Sequence, residues 1–154
     1  MRPLPLALLL CLCACGGRAN SVSGSVNGVR FDSLSSAYWI GMPSPGGAPL
    51  VLFLFEKPAT CDSMADYNWD KLLGDAQLLE LGTLRAEAGT YPVPTEAYAA
   101  YLRGEVNPDA EAGTLTLSTL TPGKEAKGTF EFHYGADVLK GAFDAEYCAK
   151  GVEP

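Results

Sequence analysis

His133 is the only histidine in this 154-residue chain, and a lone imidazole narrows the chemistry on offer. It falls in Gly128-Thr-Phe-Glu-Phe-His-Tyr134, on the strand face shared with Thr129 and Glu131. As the general base of a hydrolase it would be steered by Glu131, two residues away on that face. It would also need a positioned nucleophile or a substrate groove. The chain has no Gly-x-Ser-x-Gly elbow and no Ser-x-x-Lys pair to supply one. A catalytic zinc site usually takes two or three histidines. His133 therefore reads as a half-exposed sheet residue, and no catalytic residue, cofactor or metal is expected. Asp66-Tyr-Asn-Trp-Asp70 echoes the opening of a calcium loop. Lys71 stands where that loop needs Gly, and Gln77 where it needs a bidentate Glu, so the segment reads as a solvated helical face. Tyr38, Trp39, Trp69, Tyr91, Tyr98 and Tyr101 would suit a sugar platform or an apolar ligand cavity. Such residues are more often core and rim.

The five cysteines carry more information. Three of them, Cys11, Cys13 and Cys15, crowd the end of an apolar leader that holds one positive charge, Arg2, and breaks at Gly16-Gly17. That layout fits an export signal. The run is too short to span a bilayer, which takes roughly 20 apolar residues. Leu12-Cys13-Ala14-Cys15 resembles the lipobox of bacterial lipoproteins. The resemblance implies cleavage before Cys15 and diacylglycerol on its thiol; plain secretion is the rival. Leu10 and Leu12 are bulky where a lipobox wants a small residue, so Cys11 and Cys13 are the poorer sites. Gly16 after the cysteine implies, by the same family rule, the outer membrane. The expected organisation is a signal peptide over 1–14, a lipidated N-terminus and flexible tether over 15–21, one β domain over 22–150 and a tail over 151–154.

Cleavage would remove Arg2 and take the formal charge from −7 to −8. An acidic surface argues against nucleic acid and anionic headgroups as partners. The expected partners are the bilayer, through acylated Cys15, and an envelope protein or glycan. With Cys15 carrying lipid, Cys61 and Cys148 remain as an even pair. In an oxidising compartment such a pair reads as a disulfide; two free buried thiols are the alternative.

The domain opens on Ser21-Val-Ser-Gly-Ser-Val-Asn-Gly-Val-Arg-Phe31. Asn27-Gly28 between alternating segments predicts a hairpin pairing Val26 with Val29, Ser25 with Arg30 and Gly24 with Phe31. Ala37-Tyr-Trp-Ile40 is expected to continue its second strand, and Gly41 to Pro49 to form a loop. Leu50-Val-Leu-Phe-Leu-Phe55 is apolar throughout. It predicts a strand buried on both faces, by a central position or under the segment that follows. That segment, Thr60 to Gly74, is the one helix candidate, with Thr60 as N-cap and Cys61, Ala65, Trp69, Leu72 and Leu73 on one face. Strands follow at Leu78–Leu84, at Gly89–Tyr91 on an edge beside Pro92 and Pro94, and less clearly at Tyr98–Val106. The last third predicts Gly113–Leu120, Gly128–Tyr134 and Val138–Cys148. A Gly135-Ala136 turn there sets Glu131 opposite Lys140 and Phe130 opposite Gly141.

The order of motifs resembles a group of small bacterial lipoproteins: a lipobox, Gly24-Ser-Val-Asn-Gly-Val-Arg-Phe31, a cysteine-bearing middle at Cys61, Gly128-Thr-Phe130, and Gly141-Ala-Phe-Asp-Ala-Glu-Tyr-Cys148. It implies an exported β domain braced by Cys61–Cys148 and transfers no catalytic role. The fold expected is mainly β, an antiparallel sandwich or small barrel of about seven to eight strands with one short helix. The function expected is a non-enzymatic, membrane-anchored binding or envelope-organising domain. The alternatives are a lipocalin-like carrier and, more weakly, a hydrolase using His133.

Overall fold

The computed structural model describes residues 20–41, 50–65 and 73–152. The leader, Cys15, the loop over 42–49, and Asp66 through Leu72 with the calcium-like opening lie outside the described residues. Ten strands are described: β1 (Ser21–Val26), β2 (Val29–Arg30), β3 (Ser36–Gly41), β4 (Leu50–Phe55), β5 (Leu78–Thr83), β6 (Gly89–Val93), β7 (Ala97–Leu102), β8 (Ala112–Thr121), β9 (Glu125–Tyr134) and β10 (Asp137–Tyr147). A short helix α1 (Cys61–Ala65) follows β4, and a 3-10 turn (Ala149–Val152) follows β10.

Eight strands run in the order β6-β8-β9-β10-β3-β4-β5-β7 and curl into a nearly closed barrel. The opening hairpin, β1 and β2, lies off this eight-strand path, with β1 pairing β10. The seam lies between β7 and β6. Leu84 N–H extends the β5–β7 ladder by donating to Glu96 O at 3.2 Å, and across the seam Ala110 N–H donates to Ala99 O at 2.8 Å. The second bond matters for closure, since the next residue, Glu111, donates to His133 O of β9 at 2.9 Å. The stretch before β8 thus bonds β7 on one side and β9 on the other.

The opening hairpin has the expected register: Val26 faces Val29, Ser25 faces Arg30, and Phe31 N–H donates to Gly24 O at 3.0 Å. Asn27 and Gly28 both take positive φ, 51° and 76°, as a two-residue turn matched to strand twist requires. Asp137, the first residue of β10, holds this hairpin to the barrel. Its carboxylate accepts Gly28 N–H at 2.7 Å and the Ser25 hydroxyl at 2.9 Å. Those two bonds, Gly28 first, hold the carboxyl below the ordinary aspartate range. A folded value below the unfolded one (about 4) stabilises the hairpin above that pH. The contribution fades as pH falls through the folded value. Carboxyl-carbon NMR should place the Asp137 midpoint below that of an exposed aspartate, with the Gly28 amide shift moving in step. An ordinary or raised midpoint would contradict the contact.

Two expectations are corrected. The second hairpin strand does not run on into Ala37–Ile40. It ends at Arg30, Phe31 turns into the interior, and β3 starts anew at Ser36. The sheet is also not wholly antiparallel. One edge of β10 is shared: Leu139 to Ala142 pair with β1, while Glu146 and Tyr147 pair in parallel with Tyr38 and Trp39 of β3. A chain that leaves β1–β2 and must still reach the far end of β10 can arrive there only in parallel.

Inward positions alternate along every strand, as the pleat demands. Leu50, Leu52 and Leu54 of β4, Leu79 and Leu81 of β5, Phe130, Phe132 and Tyr134 of β9, and Leu139 and Phe143 of β10 form one interior cluster. The odd-numbered residues of β4 point outward, yet Val51, Phe53 and Phe55 are also buried. They join Ile40, Met64, Leu73, Leu78 and Cys148 in a second cluster under α1. So β4 is buried on its second face by the segment that follows it. Thr60 caps α1, its hydroxyl accepting Ser63 N–H at 3.2 Å while Ser63 Oγ accepts Thr60 N–H at 3.1 Å. Gly74, ahead of β5, takes the left-handed region at φ 52°.

Candidate functional site

The two downstream cysteines are joined: Cys61 and Cys148 form a disulfide across 87 residues of sequence. It ties the first turn of α1 to the end of β10. Lys150, just beyond, reaches back to Asp62 with Nζ 2.7 Å from Oδ1. The bond lies at the edge of the outer cluster and holds the α1 cover against β3 and β4.

His133 stands near the end of β9, between Ala112 of β8 and Val138 of β10. Its side chain is 44% exposed, with Nε2 3.7 Å from Glu131 Oε1, too far for a directing hydrogen bond. The nearest depression, about 400 Å³, is lined by Ser21, Ser23, Thr114, Thr129, Glu131 and Lys140 but not by His133. It is an open trough on the outer face of β8, β9, β10 and β1, rich in hydroxyls. Glu131 and Lys140 face each other there, and Phe130 faces Gly141, as expected.

Among the described residues the expected aromatics do not converge on a platform; Trp69 lies outside them. Trp39, Tyr91 and Tyr101 point into the barrel and are buried. Tyr38 lies outside, edge-on to Phe55, its hydroxyl donating to Ala59 O at 3.0 Å. The interior is taken up by side chains: Phe31, Tyr91, Tyr101 and Phe132 are each under 2% exposed. Phe31 meets Tyr101 edge-on at 6.4 Å, and Phe130 stacks on Phe132 at 5.2 Å. At one end of the barrel a buried polar network completes the packing. Gln77 donates to Arg30 O at 2.9 Å and to Glu56 Oε1 at 3.1 Å, and accepts the Tyr101 hydroxyl at 2.8 Å.

Two features sit on opposite flanks. In the eight-strand order the junction of β10 with β3 lies halfway round from the β7–β6 seam. Asn20, the first described residue, is at that junction, its Oδ1 accepting Asp144 N–H at 2.8 Å. A notch of about 360 Å³ opens there between Asn20 and Leu34 to Tyr38. At the seam is a smaller, mostly apolar pocket of about 160 Å³. It is lined by Gly82, Thr83, Leu84, Pro94, Thr95, Glu96, Ala97 and Tyr98. Leu84 is 69% and Tyr98 42% exposed, unusual for large apolar side chains in this molecule. Neither was singled out by periodicity. Leu84 reads in sequence as the end of a strand, and the pairing of β5 with β7 brings it beside Tyr98 and the Pro94 turn.

No protein-family model, curated protein or solved structure matches the chain.

Proposed function

We propose that this protein is a lipid-anchored, exported β-barrel lipoprotein that acts by binding rather than catalysis, presenting its outer surface to another component of the cell envelope. The observation that carries the reading is a side-chain-filled barrel, braced by an 87-residue-spanning disulfide, that follows a lipobox-like leader after only a few residues. Disulfides persist in oxidising compartments, which agrees with export. A filled interior favours an outward-facing role over that of a carrier, whose ligand needs an enclosed cavity of a few hundred Å³. The exposed setting of His133, away from the trough, gives the hydrolase reading no support.

The anchor sets the orientation. From Cys15 to Asn20 the chain can span at most about 17 Å, at 3.3–3.6 Å per residue. The flank at the β10–β3 junction would therefore stay close to the bilayer, and the seam would face away from it. Several acyl chains on one cysteine, at about 0.8 kcal/mol per buried methylene, would make attachment permanent in practice.

Growing an expressing Gram-negative host with an alkynyl fatty acid tests the anchor. The protein should take up label, and Cys15→Ala should abolish both label and membrane association. Undiminished labelling of that variant would refute the assignment.

A further inference from the structure

The pocket at the β7–β6 seam has the marks of a docking point. Gly82 faces outward on β5 opposite Tyr98 of β7, and a Cβ at 82 would overlap the Tyr98 ring. The glycine therefore lets the ring lie flat on the sheet. Glu80 Oε1 fixes it there by accepting the Tyr98 hydroxyl at 2.8 Å. The result is a pre-set aromatic wall, with Leu84 and Pro94 on the other sides and room for about one aliphatic side chain.

The surrounding charge is acidic. Glu80 and Asp109 both act on the Tyr98 hydroxyl, Glu96 lines the pocket, and Glu87 shares Arg85 with it. Arg85 is engaged by both Glu87 and Glu96, at 3.5 and 2.7 Å. An acidic rim repels anionic lipid headgroups. It also repels an identical rim, which disfavours a second copy of this chain meeting the seam face to face. It attracts cations.

We propose that the seam pocket docks a basic segment of a partner protein, seating one aliphatic side chain among Leu84, Pro94 and Tyr98 while flanking lysines or arginines meet Glu80, Glu87, Glu96 and Asp109. This rests on the anchored-binding reading above, because the tether is what turns the seam away from the membrane. A pocket for one side chain suits a weak, exchangeable contact rather than an obligate interface.

The test uses the full acylated protein in neutral detergent micelles and a fluorescent Lys-Lys-Leu-Lys-Lys peptide, followed by polarisation. Saturable binding is expected, with none for Glu-Glu-Leu-Glu-Glu. Leu84→Lys should weaken it about tenfold or more, as loss of an interface anchor does. Thr129→Lys adds the same charge on an exposed part of β9 and should weaken it much less. Absence of binding, or equal losses in the two variants, would overturn the proposal. So would self-association that Leu84→Lys abolishes, which would make a second copy the occupant. Both variants keep Cys15, so fatty-acid labelling reports separately on the anchor: failure of docking with labelling intact counts against the pocket alone.

Discussion

Removing the disulfide, by Cys61→Ala together with Cys148→Ala, is expected to lower the unfolding free energy by about 2–5 kcal/mol. The closed loop spans 87 residues, and the chain-entropy account gives about 4–5 kcal/mol for loops of such length, with measured losses often smaller. The structure adds a local reason. A short helix gains little from its own hydrogen bonds, since isolated helices shorter than about 12 residues are marginal in water, so α1 depends on what it packs against. α1 is held on the barrel by Met64 in the outer cluster, by the ion pair of Asp62 with Lys150 and by the bond itself. Without the bond, the cover over Val51, Phe53 and Phe55 is expected to open before the barrel does. Urea unfolding checks this. The double variant should match the reduced wild type and be indifferent to reductant. A wild type unaffected by reductant would contradict the role assigned to the bond.

The second large effect concerns the way aromatics and glycines share the barrel interior. Phe143 lies opposite Gly128 across β10 and β9, and Phe130 opposite Gly141. A Cβ at position 128 would overlap the Thr116 carbonyl oxygen and come within 2.8 Å of Phe143 Cζ. The Thr116 carbonyl belongs to the ladder of β8, so it cannot yield without loosening the sheet. Gly128→Val is therefore expected to cost about 3 kcal/mol, the upper part of the usual range for overpacking. Gly41 provides the contrast. Among the described residues a Cβ there would meet only Trp39 Cζ3, at 4.0 Å, and Gly41→Ala should change stability by no more than about 0.5 kcal/mol. Chemical denaturation of the two variants side by side separates a steric role from a general glycine effect. Equal losses would argue against the aromatic–glycine packing.

Much of the barrel was legible in short-range patterns. Asn27-Gly28 announced a hairpin because few residue pairs accept two positive φ values in succession. Glu131 against Lys140 followed from one turn and the two-residue period of a strand. The unbroken apolar run of β4 implied burial on both faces, and Thr60 to Gly74 marked what lies over the second. Features that depend on distant parts of the chain were not legible. The split edge of β10, parallel to β3 and antiparallel to β1, leaves no periodic trace. Neither does the bonding of the stretch before β8 to both β7 and β9, nor the register shift between Leu117 and Thr119. These are set by how a twisted sheet closes on itself. The seam pocket is likewise non-local, for Leu84 and Tyr98 meet because β5 and β7 pair. Cysteine arithmetic went further than pattern, because pairing Cys61 with Cys148 needed only a count and a compartment.

The account turns on Cys15, and the intact mass of the protein recovered from membranes of an expressing Gram-negative host tests it most directly. The predicted mass is that of a chain beginning at Cys15, increased by two or three acyl chains with their glycerol. It should also be two hydrogens short, for the Cys61–Cys148 bond. A chain that begins at another residue, or one that begins at Cys15 without acyl mass, would contradict it.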